Sequence, residues 1–205
     1  YGTSRFVDPI AAEHGLKIVE TDTGFKCLRP YTGPEAQHMA VCGFEEADGF
    51  TLGHHMGHFV DKDSLVAMLV ALQMMLDRNQ TLGEIYRALQ IRHGYYFPGR
   101  RPVDIDRSLS REVRQRKLSE ALGAIAVGHK ISVNCPALGI TKLEVLKVEQ
   151  LFGYRFTLAG GHTIMLRPSG TEPKVRVYVE AVGQGNEVLV EPLLAAAAAL
   201  IGSAF

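Results

Sequence analysis

Apolar residues recur at helical spacing in several stretches of the chain. Between residues 63 and 78, apolar side chains fall three or four positions apart, which predicts a long amphipathic helix with Asp63 as its N-cap. The same spacing predicts four further helices, at residues 6–14, 82–93, 110–126 and 191–201. Gly94 is a suitable stop for the third helix along the chain, and Pro192 suits the first turn of the last one.

Other stretches alternate between apolar and polar residues, which is the pattern of half-buried strands. Strands are predicted at residues 16–20, 39–43, 140–148, 154–158, 163–166 and 174–180. The Pro-Gly-Arg-Arg-Pro segment at 98–102 is the best candidate for a domain boundary. We therefore predict an α/β domain with a mixed sheet and helices over 1–100. A smaller α+β domain, with an antiparallel sheet and helices on one face, follows over 101–205.

The composition mainly excludes certain classes of partner. The chain has 205 residues, 46% of them hydrophobic, and a formal net charge of zero, so no basic field indicates a nucleic-acid partner. The longest apolar run is too short to span a bilayer, and no signal peptide is visible, so we expect no membrane association. Three cysteines without a C-x-x-C spacing predict buried, unreactive thiols in a reducing, cytoplasmic setting. The chain starts at Tyr1 without methionine, and we expect it to be part of a longer protein.

The segment 166–178 carries the most informative chemistry. Two strand-like runs flank a turn of Pro168, Ser169, Gly170 and Thr171, with an arginine on each side. Backbone N–H groups, two hydroxyls and two guanidinium forks together suit a phosphate group. The candidate phosphate-binding residues are Arg167, Ser169, Gly170, Thr171 and Arg176. The alternative is an ordinary hairpin with a surface arginine, but the two arginines and Glu172 at fixed offsets favour the phosphate interpretation.

The same residues resemble a known family. Arg-Pro-Ser-Gly-Thr-Glu-Pro-Lys at 167–174, followed by Arg176 and Tyr178, closely resembles the phosphate-binding loop of the α-D-phosphohexomutases. This family includes phosphoglucomutase and phosphomannomutase, and the loop belongs to their C-terminal domain. The resemblance implies that residues 101–205 form the fourth domain of such an enzyme.

Segments of the first half resemble the third domain of the same family, over residues 1–100. They are the start of the chain up to Thr-Gly-Phe-Lys at 23–26, the stretch 43–50, which resembles the sugar-recognition loop, and Asp-Lys-Asp at 61–63. The resemblance makes Glu45 the hydroxyl-binding glutamate and Lys26 a candidate contact for a phosphate or hydroxyl. Ala47 stands where many members have a serine, which removes a hydroxyl contact. Read without the family, Glu45 and Glu46 fit a solvated acidic turn equally well.

Two other motifs are tempting but do not predict metal sites. His54, His55 and His58 have zinc-like spacing, but glycines interrupt them and no further ligand completes a signature, so we interpret them as a loop near the sugar site. Asp104 and Asp106 partly resemble the family's magnesium loop, but two carboxylates make a poor cage for that ion. We interpret this second segment as a connector leading into a helix.

The resemblance also implies a reaction for the whole protein. A phosphohexomutase moves a phosphoryl group between C1 and C6 of a hexose phosphate through a phosphoserine in its first domain and a sugar 1,6-bisphosphate, which also serves as activator. Mg²⁺ held by its second domain offsets the transferred charge. The chain lacks both the phosphoserine loop and the three-aspartate loop, so we expect no catalytic residue and no metal here, and no turnover from these residues alone.

Three alternatives stay open at this point. In the first alternative, the parent protein is a phosphopentomutase or a sugar-bisphosphate synthase. In the second, the chain is a non-catalytic phosphosugar-binding module. Under the third it is a structural or interaction domain that retains the turn. We expect a hexose phosphate and the N-terminal domains of the same protein as partners. The sequence does not separate glucose, mannose and pentose substrates.

Overall fold

A computed structural model describes residues 2–36, 40–45, 49–53, 62–150, 153–169 and 172–205. The chain divides into two compact units, Tyr1–His93 and Gly94–Phe205. The second unit is the larger, although the sequence predicted a smaller second domain. The predicted boundary segment at 98–102 is not a linker, because it lies inside a strand of the second unit.

Helices dominate the described part of the first unit. In chain order its elements are α1 (Val7–Glu13), α2 (Phe25–Thr32), β1 (Cys42–Glu45), β2 (Gly49–Leu52), α3 (Ser64–Arg78) and α4 (Leu82–His93). The two strands pair antiparallel, with Cys42 opposite Leu52 and Glu45 opposite Gly49. Three of the predicted helices, α1, α3 and α4, are thereby confirmed.

Side-chain caps fix the starts of α3 and α4. The Asp63 carboxylate accepts the backbone N–H groups of Leu65 and Val66, as its predicted N-cap role requires. Thr81 and Glu84 exchange hydrogen bonds in a capping box before α4. At the other end of α4, Arg92 and His93 both contact the Glu13 carboxylate, which ties α4 to α1.

The prediction of a strand at 16–20 is wrong, because this segment pairs with no other strand in the described part of the unit. The strand predicted at 39–43 is β1, which begins at Cys42; Met39 lies outside the described residues. The short elements α2 and β2 were missed. Pro30 lies inside α2, so its sequence does not look helical, and β2 has only four residues.

The second unit is built on a six-stranded antiparallel sheet in the order β3-β8-β7-β6-β5-β4. Its elements are β3 (Tyr96–Asp104), α5 (Arg111–Gly123), β4 (Lys130–Cys135), β5 (Ile140–Gln150), β6 (Tyr154–Leu158), β7 (Thr163–Pro168), β8 (Lys174–Val182) and α6 (Val190–Gly202). All four strands predicted beyond residue 101 and both helices are confirmed, while β3 and β4 were missed. Together the two units confirm the predicted fold class, in which helices accompany a sheet in each part.

One face of this sheet carries the core. Alternate residues of the strands, such as Val133, Phe156 and Val175, are completely buried among the apolar residues of α5 and α6. Leu193 and Ala197 on α6 are equally buried, so the alanine-rich helix lets the sheet approach closely. The residues in between point to the opposite face, where charged side chains such as Arg155, Arg167 and Arg176 lie.

No helix among the described residues is long and apolar enough to cross a membrane. Cys135 is buried in the core of the second unit, while Cys27 and Cys42 are half-buried. Burial raises the pKa of the Cys42 thiol, which keeps it protonated and less reactive.

Candidate functional site

The β7–β8 hairpin places the two predicted phosphate-binding arginines directly opposite each other. Arg167 on β7 is the Cα partner of Arg176 on β8. Cross-strand partners project to the same face of a sheet, with Cβ atoms about 4.5–5.5 Å apart. Their neighbours Leu166 and Val177 are buried in the core, so both guanidinium groups emerge on the face away from the helices. The sheet therefore presents two adjacent positive charges.

Two like charges directly opposite each other destabilise a sheet unless an anion lies between them. Glu172 in the turn supplies part of the negative charge that these cations require. Its carboxylate lies 3.6 Å from the guanidinium of Arg176 and 3.5 Å from the ammonium of Lys174. Both separations exceed hydrogen-bond distance, and nearly half of the Glu172 side chain is exposed. The cations thus hold a loosely bound internal carboxylate that a stronger anion could replace.

The turn itself is closed by hydrogen bonds. The N–H of Ser169 donates to the carbonyl of Lys174 at 2.9 Å, and the N–H of Glu172 donates to the Ser169 hydroxyl oxygen at 3.2 Å. Because Ser169 only accepts in this contact, its own O–H remains able to donate to a ligand. Gly170 and Thr171 lie outside the described residues, so their predicted roles stay predictions.

A close backbone contact holds Arg167 in place. A Cβ atom added to Gly153 would collide with the carbonyl oxygen of Leu166 and come within 3.1 Å of the Arg167 Cα. The chain just before β6 therefore packs directly against β7 at the position of Arg167. Only glycine permits this approach, which makes Gly153 a supporting residue that the sequence alone did not reveal.

The same face carries a second arginine–carboxylate pair. Arg155 lies opposite Met165, and its guanidinium contacts both oxygens of Glu149, at 3.0 and 3.1 Å. These hydrogen bonds, with a further one from Lys147, lower the pKa of Glu149 to about 2. Glu149 is therefore charged at neutral pH and neutralises Arg155, whereas Arg176 at the turn pairs less closely, with Glu172 at 3.6 Å.

Glu45 ends β1 in the first unit, and its carboxylate accepts the backbone N–H of Gly24. Gly24 is the N-cap of α2 and has φ of 108°, a conformation that favours glycine. A carboxylate at this position satisfies an unpaired N–H group and interacts favourably with the helix dipole. The structure therefore brings the predicted sugar-binding glutamate to the start of α2.

Lys26 lies in the first turn of the same helix and is exposed. Its neighbour Phe25 is buried, and the ammonium of Lys62 lies 5.6 Å from the centre of the Phe25 ring, within range of a cation–π interaction. The N–H of Asp63 donates to the carbonyl of Phe50 on β2. The three sequence segments around Lys26, Glu45 and Asp63 thus meet at one end of the β1–β2 hairpin.

Several predicted residues lie outside the described residues, namely Ala47, His54, His55 and His58. Asp106 accepts the N–H and O–H of Ser108, and these hydrogen bonds lower its pKa. Asp104 ends β3, and Asp106 lies in the turn before α5, which matches their interpretation as a connector. Sequence reasoning missed Gly153, and it gave Lys62 no role beyond its place in the Asp-Lys-Asp segment, because both contacts are set by packing.

Comparison with family profiles gives two matches. The profile described as phosphoglucomutase/phosphomannomutase, alpha/beta/alpha domain III, matches residues 1–92. The profile described as phosphoglucomutase/phosphomannomutase, C-terminal domain, matches residues 114–189. The two candidate sites thus fall one in each matched domain.

Curated relatives are similar at modest identity. A phosphoglucomutase of Staphylococcus saprophyticus is 26% identical and covers 86% of this chain. A probable phosphoribomutase of Schizosaccharomyces pombe is 28% identical over 90% of it, and a glucose 1,6-bisphosphate synthase of Mus musculus is 28% identical over 92%. The match covers 34%, 34% and 33% of these relatives, so the chain spans about a third of their length.

A solved structure confirms the fold. The open form of pp63/parafusin, an exocytosis-sensitive phosphoprotein and phosphoglucomutase from Paramecium, superposes with a TM-score of 0.66 at 20% identity. The similarity covers 96% of this chain and 35% of that one.

Proposed function

The chain belongs to the phosphoglucomutase/phosphomannomutase family, and on that premise we propose that it holds the phosphosugar substrate of a phosphohexomutase. The β7–β8 turn binds the phosphate that is not reacting, through Arg167, Ser169, Gly170, Thr171 and Arg176. The β1–β2 hairpin reads the sugar hydroxyls through Glu45, with Lys26 nearby. Neither part performs the chemistry.

The pairing of Arg167 with Arg176 is the observation that carries this proposal. Two guanidinium groups on one face can each form bidentate, charge-assisted bonds to the oxygens of a phosphate. The Ser169 hydroxyl can add a third donor. Such donors recognise a phosphate whichever carbon bears it, as a substrate that binds in two orientations requires. Holding the remote phosphate uses binding energy to orient the reacting oxygen.

For the parent protein we propose phosphoryl transfer between C1 and C6 through a phosphoserine and a bisphosphate, with the reacting groups in the domains that precede domain III. Mg²⁺ would be bound there as well. Among the residues the structure describes, no three His, Cys, Asp or Glu side chains converge into a site that would hold the ion.

The identity of the sugar is the main alternative within this class. Relatives named phosphoribomutase, phosphopentomutase and glucose 1,6-bisphosphate synthase all match the chain at similar identity. Ala47 offers no hydroxyl to the sugar, which favours a specificity different from that of members with a serine. The second candidate function is therefore that of a phosphopentomutase, which acts on a pentose phosphate, or of a sugar-bisphosphate synthase, which makes a bisphosphate.

Titration with glucose 1-phosphate tests the phosphate clamp. We expect Arg167→Ala to weaken binding by about 10- to 150-fold, because a hydrogen bond to a charged group is worth about 1.5–3 kcal/mol and about 1.4 kcal/mol is tenfold. Arg167→Lys keeps the charge but not the fork and should fall in between. Isothermal calorimetry measures all three affinities.

Arg116→Ala is the matched control, since it removes the same charge from the exposed surface of α5. It should bind like the unaltered protein. Equal affinities for Arg167→Ala and Arg116→Ala would contradict the phosphate clamp and favour a purely structural turn. Ribose 5-phosphate in the same titration ranks the pentose alternative against the hexose.

An activity assay separates binding from catalysis. With glucose 1-phosphate, glucose 1,6-bisphosphate and Mg²⁺, we expect the 205-residue chain to bind ligand without turnover. Robust formation of glucose 6-phosphate would show that the reacting groups lie within this chain after all. A parent protein that also binds without turnover would support the non-catalytic binding module.

A further inference from the structure

The Pro-Gly-Arg-Arg-Pro segment at 98–102 carries two arginines that point to opposite faces of the second sheet. The segment lies in β3, which pairs with β8. Arg101 is the Cα partner of the buried Val177, and its guanidinium lies 2.8 Å from the carboxylate of Glu191 on α6. Successive residues of a strand point to opposite faces, so Arg100 lies on the face away from the helices, where it is exposed.

This orientation places Arg100 beside the two arginines of the candidate phosphate site. Pro102 is the Cα partner of Arg176, so Arg100 is a diagonal neighbour of Arg176 across the β3–β8 pair. Diagonal neighbours lie about 7–8 Å apart, which is within reach of long side chains. Arg167 is the partner of Arg176 on its other side. The three arginines therefore occupy three adjacent strands, with Arg176 in the middle.

The positive charge of this cluster exceeds the negative charge that the protein places next to it. Glu172 lies within 4 Å of both Lys174 and Arg176. The side chains of Arg100 and Arg167 form no hydrogen bond or ion pair with any residue that the structure describes. Two guanidinium groups thus stay without a described counter-ion. A phosphate monoester carries a charge of about −1.5 to −2 at pH 7, which matches them.

The neighbouring carboxylates on this face do not neutralise Arg100. Glu180 occupies the other diagonal of Arg100 on β8, but it is only 3% exposed and has contacts of its own. Asp104, further along β3, is the Cα partner of Lys174 instead. An exposed arginine next to other cations is stabilised by an anion, and within the described part of this face that anion has to come from outside the chain.

We propose that Arg100 is the third arginine of the phosphate clamp and binds the same phosphate as Arg167 and Arg176. This inference rests on the function proposed above and adds a residue to which no motif points. A third guanidinium adds charge-assisted hydrogen bonds to the phosphate oxygens. β3 is the last strand of the described sheet, so no further strand hinders Arg100 from turning toward Arg176.

Calorimetric titration of the 205-residue chain with glucose 1-phosphate tests the inference. We expect Arg100→Ala to weaken binding by about 5- to 12-fold, between the upper value of an exposed ion pair and the lower value of a hydrogen bond to a charged group. Arg100→Gln keeps most of the side-chain length without the charge and should lose a similar factor. Arg101→Ala is the matched control, since it removes the same charge one residue away on the opposite face, and it should bind like the unaltered protein.

Arg167→Ala in the same series separates this inference from the proposed function. If Arg167→Ala weakens binding and Arg100→Ala binds like Arg101→Ala, the third arginine is overturned and the clamp stands. If neither arginine matters, the proposed function fails and the inference fails with it. Equal losses in Arg100→Ala and Arg101→Ala would overturn the inference as an effect of overall charge. Normal binding by Arg100→Gln alone would also overturn it, because the loss in Arg100→Ala would then come from packing on β3.

Discussion

The two hairpins that carry the candidate sites each contain a glutamate that occupies a ligand-like position, but they hold it differently. Glu172 lies 3.5–3.6 Å from two cations and is half exposed. Glu45 accepts a direct hydrogen bond from the backbone of Gly24 at the start of a helix. Under the proposed function the first carboxylate leaves when a phosphate binds, whereas the second is part of the local structure. A sugar hydroxyl would therefore have to share Glu45 with α2.

The two hairpins also differ in how firmly the surrounding structure holds them. The β7–β8 hairpin lies inside a six-stranded sheet, with β3 and β6 on either side and a continuous core beneath it. Among the residues that the structure describes, the β1–β2 hairpin forms a sheet of two strands, and such sheets are marginally stable alone. The positions of the proposed phosphate-binding groups are thus set by the second unit itself, while the hairpin proposed to bind the sugar depends on its neighbours.

Gly153→Ala should disturb the β7–β8 hairpin and have the largest effect of the variants considered. The added methyl group collides with the Leu166 carbonyl and approaches the Arg167 Cα to 3.1 Å, and both are backbone atoms that cannot rotate away. We expect a loss of about 1–3 kcal/mol in the free energy of unfolding of the second unit. Urea denaturation measures the stability, and calorimetry should show weaker phosphate binding because Arg167 moves.

Gly202→Ala is its control, since a Cβ at that position near the end of α6 meets no atom within 4 Å. It should change neither stability nor affinity appreciably. If Gly153→Ala were as stable as Gly202→Ala and bound phosphate normally, the close packing of β7 would have no role in fixing Arg167.

Glu45→Ala should destabilise the contact between the β1–β2 hairpin and α2, by a smaller free energy. Loss of the acceptor for the Gly24 N–H resembles loss of a helix cap, which costs about 0.5–2 kcal/mol. Exchange of the α2 amides should accelerate accordingly, while those of α5 in the second unit stay unchanged. Glu45→Gln keeps an acceptor and should lose only the dipole interaction of about 0.3–1 kcal/mol. Unchanged α2 exchange in Glu45→Ala would mean that this carboxylate is free for the sugar alone.

The sequence predicted these two regions unequally, for physical reasons. Much of β5 and β8 alternates between buried and more exposed residues, and β6 and β7 are short runs rich in apolar residues, so β5 to β8 were recognisable. β3 was hidden by Pro98, Gly99 and Pro102, which read as a linker but suit the edge of a sheet. The opposition of Arg167 and Arg176 follows from the turn length, whereas the contact of Glu45 with Gly24 depends on tertiary packing that spacing does not encode.

Acidification should loosen the β7–β8 sheet slightly through His162, which precedes β7. The N–H of Val182 donates to its Nδ1 at 3.0 Å, and burial lowers the pKa of this histidine below its ordinary 6.5. The unfolded state then binds a proton first, so this contribution to stability is present above about pH 6.5 and is lost as the pH falls below it. The loss should not exceed the net value of a hydrogen bond, about 1 kcal/mol.

His162→Asn provides the check, because its amide oxygen can accept the same N–H without titrating. Denaturation between pH 7.5 and pH 5 should show a smaller decline for this variant than for the unaltered protein, with both pH limits lying about one unit or more from the ordinary histidine pKa. Parallel curves would mean that His162 does not titrate in this range, and the decline would have to come from other groups.

Glu172→Gln should have the smallest effect of these variants, and it should strengthen phosphate binding instead of weakening it. Removing the internal carboxylate frees Lys174 and Arg176 from a half-exposed ion pair worth about 0.2–1 kcal/mol, so phosphate should bind about 1.4- to 5-fold more tightly. Glu120→Gln, which removes an exposed carboxylate paired with Arg116 on α5, is the control and should leave the affinity unchanged. Weaker binding by Glu172→Gln would mean that the carboxylate positions the two cations instead of competing for them. Glu172 would then resemble Glu45, and the distinction between a displaceable and a structural glutamate would fail.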